Sequence, residues 1–532
     1  MEHIENSAAN QLTRIALHQG TSTKEDLHSL KLVFAQDGRL LPNSELLAAY
    51  HQLVEGNQVA AVPAFEALIR RRQVRTASGI VPVAVSTAPG GCPFHCIYCP
   101  TEANMPKSYL ANEPGMMRAT RNDFDPRAQI ENRLNTLSEI GHATDKVELI
   151  VIGGTFTTYP EKYQTDFIKG CFDACNGMIA ESLSGAHRRN ESAKRRIIGL
   201  SIETRPDEVD EVTIRELRRL GITRVEMGVQ STHDNVLQAT RRAHTVADTV
   251  KATRLLKDAG FKICYHMMPN LPGSDPDSDV EMFHTLFSDS RFQPDMLKIY
   301  PTMVVETAEL YDWWKDGRYE TYDDETLIEL LIRIKQIVPS YVRVNRVVRE
   351  FPAESVVAGT HRSDMRQEIH RRMKARGLAC ECTRCREIRD RTFHEEEPEL
   401  IMREYDASDG KEFFISFENE AGALYGLLRL RIPSQVINRR RHFVAELQKA
   451  ALIRELHTYG VALGVGVTPQ HETQHRGLGR RLVREAERIA ADMGVVRMAA
   501  IAGVGVRPYF RKLGYRLTGT YMTRVINPIA FG

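Results

Sequence analysis

IVPVAVSTAPGGCPFHCIYCP, residues 80–100, is a β-rich run that opens into a loop carrying Cys92, Cys96 and Cys99. The chain has 532 residues and only 9 cysteines, so three in one short loop need a reason. Disulfides are one reading, a metal ion a second, and an iron–sulfur cluster with one vacant iron a third. The N-terminus, MEHIENSAAN, lacks the basic region and apolar run of a secretory signal, and no segment reaches the roughly 18 apolar residues of a membrane span. The expected location is the cytoplasm, where structural disulfides are rare. The spacing C-x3-C-x2-C offers three thiolates to a [4Fe–4S] cube whose four irons each want one. Zinc competes with this reading, because His95 could complete a four-ligand shell.

Position separates the two. From about residue 80, β-rich runs alternate with amphipathic helices. The runs are IVPVAV (80–85), KVELIVI (146–152), IIGLSIE (197–203), RVEMGV (224–229), KICYHMM (262–268) and DMLKIYP (295–301). DEVDEVTIRELRRLG and TVADTVKATRLLKDAG lie between them, each ending in a C-cap glycine. This alternation predicts an α/β fold with parallel strands and covering helices. Six units predict a partial (β/α)6 barrel, with its chemistry where strands run into loops. The cysteine loop follows the first run. Gly153, Gly154 and Thr155 follow the second, Glu203 ends the third and Gln230 follows the fourth.

Outside this stretch the rhythm changes. Residues 1–75 read as helical, with Leu46, Leu47, Tyr50 and Leu53 at helical spacing. From about 396, KEFFISFENEAGALYGLLRLRI reads as two antiparallel strands and ALIRELHTYGVAL as another. QHRGLGRRLVREAERIAADMG is a glycine-rich turn into an amphipathic helix, and VVRMAAIAGVG is a strand. Successive N–H groups at such a turn favour an anion. The expected domains are 1–75, helical with a basic end; 76–345, the barrel; 346–395, a linker; and 396–532, an α+β domain.

Formal charge is only +2, but the basic residues cluster. Arg70, Arg71, Arg72 and Arg75 form one run; others are Arg188–Arg196, Arg371–Arg376 and Arg439–Arg441. Each alone reads as a solvated surface, and several on one face would suit a phosphate backbone. A second triplet, Cys380, Cys382 and Cys385, is close enough to share one Zn²⁺ with a fourth ligand from His361, His370 or His394. Cys171, Cys175 and Cys264 read as buried small hydrophobes.

The cysteine spacing at the end of a first β/α strand resembles the radical S-adenosylmethionine enzymes, whose open iron chelates the cofactor. That resemblance makes Cys92, Cys96 and Cys99 the cluster ligands and Gly153, Gly154, Thr155, Glu203 and Gln230 the S-adenosylmethionine contacts. Gln474, Gly477 and Gly479, with YFRKLGY downstream, resemble the pyrophosphate loop of the Gcn5-related N-acetyltransferases. The two together, with NEPGMMRATR, GHATDKVELIVIGGTF, GLSIETRPD, GVQSTHDNVL and LIRELHTYG, resemble the catalytic subunit of Elongator from about residue 70 onward. This resemblance implies formation of 5-carboxymethyluridine at the tRNA wobble position from acetyl-coenzyme A and S-adenosylmethionine. It makes Lys146, Glu455, Leu456, His457, Thr458, Leu478, Arg480, Tyr509 and Phe510 further acetyl-coenzyme A contacts. Lys146 and Tyr509 are also the candidate catalytic residues. Phe510 stands where the family has a second tyrosine.

Arg70, Arg71, Arg72 and Arg75 are the candidate tRNA contacts, and His370 is the fourth zinc ligand preferred. In the implied path the anticodon loop presents a splayed wobble base. A 5′-deoxyadenosyl radical takes hydrogen from the acetyl methyl, the carbon radical adds to uridine C5, and thioester hydrolysis leaves the carboxymethyl group. No residue in the sequence stands out as the activator of the hydrolytic water. The implied partners are tRNA, acetyl-coenzyme A and an electron donor, without a membrane and without a need for Elongator-like partner subunits. The alternative is a protein lysine acetyltransferase, which leaves the first cysteine loop idle.

Overall fold

Seven strands lie side by side in chain order, all parallel: β1 (Val81–Ser86), β2 (Lys146–Ile152), β3 (Arg196–Thr204), β4 (Arg224–Gln230), β5 (Lys262–Met267), β6 (Met296–Ile299) and β7 (Arg343–Arg346). They form a curled half-barrel with β1 and β7 at its edges. The computed structural model describes residues 7–35, 40–56, 58–69, 79–90, 92–388, 398–459 and 477–526. Arg70, Arg71, Arg72, Arg75, His394 and Gln474 lie outside the described residues. The six β-rich runs are all strands. The seventh strand, RVNR, goes beyond the six units expected, because two arginines and an asparagine in four residues carry no apolar signal.

β2 shows how the sequence builds two faces. Val147, Leu149 and Val151 are buried in the main core. Lys146, Glu148, Ile150 and Ile152 alternate with them and line the barrel lumen. A lumen lined this way is polar, so ionisable residues on the strands are not misplaced core positions.

Four N-terminal helices, α1 (Ala8–His18), α2 (Lys24–Val33), α3 (Asn43–Glu55) and α4 (Pro63–Ile69), close a small core of their own around Leu12, Leu46, Tyr50 and Phe65. In the barrel, α5 (Glu211–Arg219) starts where the Asp210 side chain accepts from the Thr213 N–H at 2.7 Å. α6 (Val246–Asp258) starts on a capping box of Thr245 and Asp248. Gly221 and Gly260 follow these helices with φ of 91° and 85°, as their C-cap positions in the sequence predict. α7 (Asp324–Ile337) carries α8 (Met365–Ala375) through ion pairs of Arg372 and Arg376 with Glu325 and Glu329. The third basic run is therefore largely paired within the protein.

The second sheet contains β8 (Glu399–Ala407), β9 (Gly410–Glu418), β10 (Leu424–Ile432), β11 (Ala450–Thr458), β12 (Arg497–Ala500), β13 (Arg516–Thr518) and β14 (Tyr521–Val525), in the order β13-β14-β12-β11-β10-β9-β8. Only β11 and β12 pair in parallel. A parallel pair needs a crossover, and α9 (Leu478–Asp492) supplies it.

This sheet docks against the N-terminal ends of the barrel strands. The contact is a fully buried ion network. Arg454 donates to both Asp295 oxygens at 2.9 and 2.5 Å and to Glu412 at 2.9 Å. Arg431 bridges Asp258 at 2.6 Å and Glu412 at 3.0 Å. Asp258 also accepts from the Ser434 N–H and hydroxyl. Burial pushes the Asp295 carboxyl up, but Arg454, Lys257 and Arg429 hold it well below the usual carboxylate range. Such networks add little net stability over apolar packing, yet an orphaned member is costly, so they fix one docking geometry. At Gly503 a side chain would sit 2.0 Å from the Ile198 carbonyl, so only glycine lets this turn lie on β3.

Candidate functional site

Because the second sheet caps the strand beginnings, the barrel lumen is open to both domains. One cavity of about 2000 Å³ runs from the cysteine loop, beyond the C-terminal end of β1, to β11 and the start of α9. Lysine and arginine outnumber aspartate and glutamate along its walls, which suits a polyanionic substrate.

At the C-terminal end, Cys92, Cys96 and Cys99 all line the cavity. Their sulfurs do not draw together as ligands of one ion do: zinc thiolates stand roughly 3.8 Å apart, and this triplet is not among the close groups of the described residues. Thr155 donates its hydroxyl to Cys92 Sγ at 3.4 Å. Arg242 and Arg205 approach Cys96 Sγ at 3.4 and 3.8 Å, and the Arg205 guanidinium also stacks 3.5 Å from the Phe94 ring centroid. Burial would raise the Cys96 thiol, but these two cations outweigh it and lower it. Burial and the neighbouring thiolates push Cys99 up to about 12. Arg205 and Arg242 carry no signal of this role in the sequence; GLSIETRPD contains the first, but its partner is 37 residues away.

Around the triplet, Gly154, Thr155, Glu203 and Gln230 face the cavity. Gly153 is turned onto Thr87 instead: its φ is 132°, and a side chain there would meet the Thr87 hydroxyl at 2.0 Å. Gln230 has a φ of 70°, beside a register shift between β4 and β5. Its Oε1 is buried without a hydrogen-bond partner among the described residues, so it is open to a donor from a ligand. Glu203 accepts from the Tyr109 hydroxyl at 2.8 Å. These residues fit S-adenosylmethionine.

Halfway down the lumen, Glu226 accepts from His266 at 3.0 Å, pairs with Arg224 at 3.2 Å and is bound by Lys298. Cys264, expected as a buried hydrophobe, is fully buried but sits against Glu226 and His266. Two cations already neutralise that carboxylate, which argues against a metal there.

At the N-terminal end, Lys146 opens β2 with its side chain in the cavity and makes no ion pair among the described residues. β11 presents Glu455, Leu456, His457 and Thr458. Gly477, with a φ of 77°, starts α9, and a side chain at Gly479 would meet the Tyr509 hydroxyl at 2.7 Å. The N-terminus of α9, with glycines beside Arg480, offers backbone N–H groups to an anion, a cradle that would suit the pyrophosphate of acetyl-coenzyme A. Leu478 is buried behind the cradle, and Phe510 packs edge-on to Tyr509 and Tyr515. A second tyrosine hydroxyl is thus replaced by a packing ring.

The second triplet is built differently. Cys380, Cys382 and Cys385 lie within 4.8 Å of one another, with His370 Nε2 at 3.6 Å from Cys385 and Lys335 Nζ at 3.2 Å from Cys380. Among the described residues no helix is long and apolar enough to cross a membrane.

Three family models match: the Radical SAM superfamily at residues 87–286, the Radical_SAM C-terminal domain at 294–375 and the Acetyltransferase (GNAT) family at 382–515. A tRNA uridine(34) acetyltransferase of Dehalococcoides mccartyi is 45% identical over 85% of this chain and 98% of that protein. Elongator complex protein 3 of Danio rerio is 40% identical over 90% of each chain. The solved structure of archaeal Methanocaldococcus infernus Elp3, lacking its N-terminus, superposes with a TM-score of 0.74 at 39% identity, over 85% of this chain and 100% of that one. The radical SAM family implies a [4Fe–4S] cluster with S-adenosylmethionine, and the GNAT family implies acetyl-coenzyme A. With both domains matched and relatives aligned over nearly their whole lengths, the chain belongs to the family of tRNA uridine(34) acetyltransferases and Elongator complex protein 3, enzymes that join a radical SAM domain to a GNAT domain.

Proposed function

We propose that this enzyme converts the wobble uridine of tRNA to 5-carboxymethyluridine, drawing the two-carbon unit from acetyl-coenzyme A. The single observation that carries the reading is the shared cavity: the cysteine loop and β11 open into the same lumen. A protein lysine acetyltransferase has no use for that connection. When bound, the cluster and S-adenosylmethionine supply a 5′-deoxyadenosyl radical, the hydrogen-abstracting chemistry that an acetyl methyl requires.

The residues have distinct tasks. Cys92, Cys96 and Cys99 hold the cluster, with Arg205 and Arg242 offsetting the charge of the Cys96 thiolate. Gly154, Thr155, Glu203 and Gln230 bind S-adenosylmethionine, and Gly153 lets the turn close over Thr87. The N-terminus of α9, with Gly477, Gly479 and Arg480, binds the pyrophosphate of acetyl-coenzyme A. β11 guides the thioester arm into the lumen, where Lys146 meets it. Tyr509 closes over Gly479. Arg70, Arg71, Arg72 and Arg75 bind the tRNA backbone. Cys380, Cys382, Cys385 and His370 hold a structural Zn²⁺ that ties α8 to the barrel.

The test is anaerobic incubation of the reconstituted enzyme with tRNA and both small molecules, followed by nucleoside mass spectrometry. Carboxymethyluridine at the wobble position is expected. Acetyl transfer to protein lysine without any change in the tRNA would refute the proposal.

A further inference from the structure

Among the described residues, the acyl end of the lumen contains one imidazole that the fold leaves uncommitted. Glu455 and His457 lie two apart on β11 and both face the cavity. Glu455 is occupied: it accepts from Arg429 Nε at 2.8 Å and pairs with Lys262 at 3.1 Å across the domain boundary. Glu148 is bound by Arg224. The ring of His457 packs 4.4 Å from that of Tyr459, but its nitrogens have no hydrogen-bond partner among the described residues.

Charged groups face this imidazole from four strands: Glu455 on its own strand, Arg343 on β7, Lys262 on β5 and Glu148 on β2. Burial and the two cations push its pKa down to about 4, against the pull of the two acids. His457 is therefore neutral at neutral pH, with a lone pair free in a polar cavity. Tyr509, also on the cavity wall, is no rival base, because burial raises its phenol.

We propose that His457 is the general base that activates water for hydrolysis of the coenzyme A thioester. The proposal rests on β11 being the strand along the thioester arm. A ring nitrogen takes a proton from water as the water oxygen bonds to the thioester carbonyl carbon. The C–S bond then breaks, and the leaving thiolate recovers that proton from the imidazolium. Water and thioester become a carboxylic acid and free coenzyme A, with no change of oxidation state. The residue lies on β11, at the end of the lumen away from the cysteine loop, so its loss should separate hydrolysis from the radical step.

The experiment uses the reconstituted full-length enzyme with tRNA, S-adenosylmethionine and acetyl-coenzyme A, comparing wild type with His457→Asn and His457→Gln. Three readouts are taken: acetyl-coenzyme A affinity by calorimetry, free thiol release, and nucleosides by mass spectrometry. Both variants should lose about a hundredfold in thiol release, far more than any loss of acetyl-coenzyme A affinity. A uridine still linked to coenzyme A should accumulate. The acid limb of wild-type thiol release should lie below the ordinary imidazole value of about 6.5 and disappear in both variants. Wild-type rates of thiol release in either variant would overturn the proposal. So would a parallel loss of acetyl-coenzyme A affinity and thiol release with no linked nucleoside, which marks a binding role. Thiol release that depends on His457 in an enzyme making no carboxymethyluridine would leave this proposal standing and sink the broader function.

Discussion

The protein carries two cysteine triplets of short sequence spacing, and their surroundings are opposite. Cys380, Cys382 and Cys385 crowd together beside α8, with an imidazole next to them. Nothing of a substrate's size could enter between those sulfurs. Cys92, Cys96 and Cys99 stay apart on the wall of a large cavity, with arginines behind them. Short cysteine spacing announces a metal site but not its kind. What decides is whether the loop is folded in upon itself or stretched along a lumen, and that depends on the element that precedes it. The first triplet follows a barrel strand, at the end where βα loops carry chemistry. The second lies in a segment that bridges the two sheets, with the Thr383 N–H donated to Val342 just before β7 and the Ile388 N–H donated to Leu424 on β10, while His370 of α8 approaches Cys385.

The largest expected effect comes from breaking the first triplet. Cys96→Ser should remove the brown colour of the reconstituted protein and abolish tRNA modification, with acetyl-coenzyme A binding retained by calorimetry. Breaking the second should do the reverse. Cys382→Ser should release zinc, measured by metal analysis, and lower stability to urea by about 1–3 kcal/mol as buried thiols lose a partner. The iron content of Cys382→Ser should stay at the wild-type level.

A smaller effect sharpens the contrast. Arg242→Met removes one of the two cations at Cys96, so that thiol should titrate higher, measured by the pH dependence of thiol alkylation in the iron-free protein. Smaller again is a charge reversal far from both triplets. Arg71→Glu with Arg72→Glu should leave iron and zinc content untouched and reduce the salt slope of tRNA binding by about 0.7–0.9 for each phosphate no longer neutralised.

Much of this was legible in the residues. KVELIVI alternates cleanly enough that its bounds coincide with β2, Lys146–Ile152. The glycine-closed helices and the cysteine loop could be placed because their signals are local. RVNR was not legible as a strand, because its pairing comes from the neighbouring β6 and not from its own side chains. The charges of the lumen and of the domain contact were also hidden. Arg224 and Glu148 are 76 residues apart, and Arg454 and Asp295 are 159 apart, so each looks like a lone charge in an apolar run until the strands are side by side. His457 could be placed on the acyl strand from ELHT, but its lack of partners is visible only once Glu455 is seen to be occupied.

The central claim is that both ends of the lumen work on one acetyl group and one nucleobase. Acetyl-coenzyme A deuterated at the methyl group tests it most directly, in the complete reaction with tRNA and unlabelled S-adenosylmethionine. Mass spectrometry should find deuterium in the 5′-deoxyadenosine released and the remaining label in carboxymethyluridine. Label-free 5′-deoxyadenosine alongside labelled carboxymethyluridine would show that the two ends do not meet.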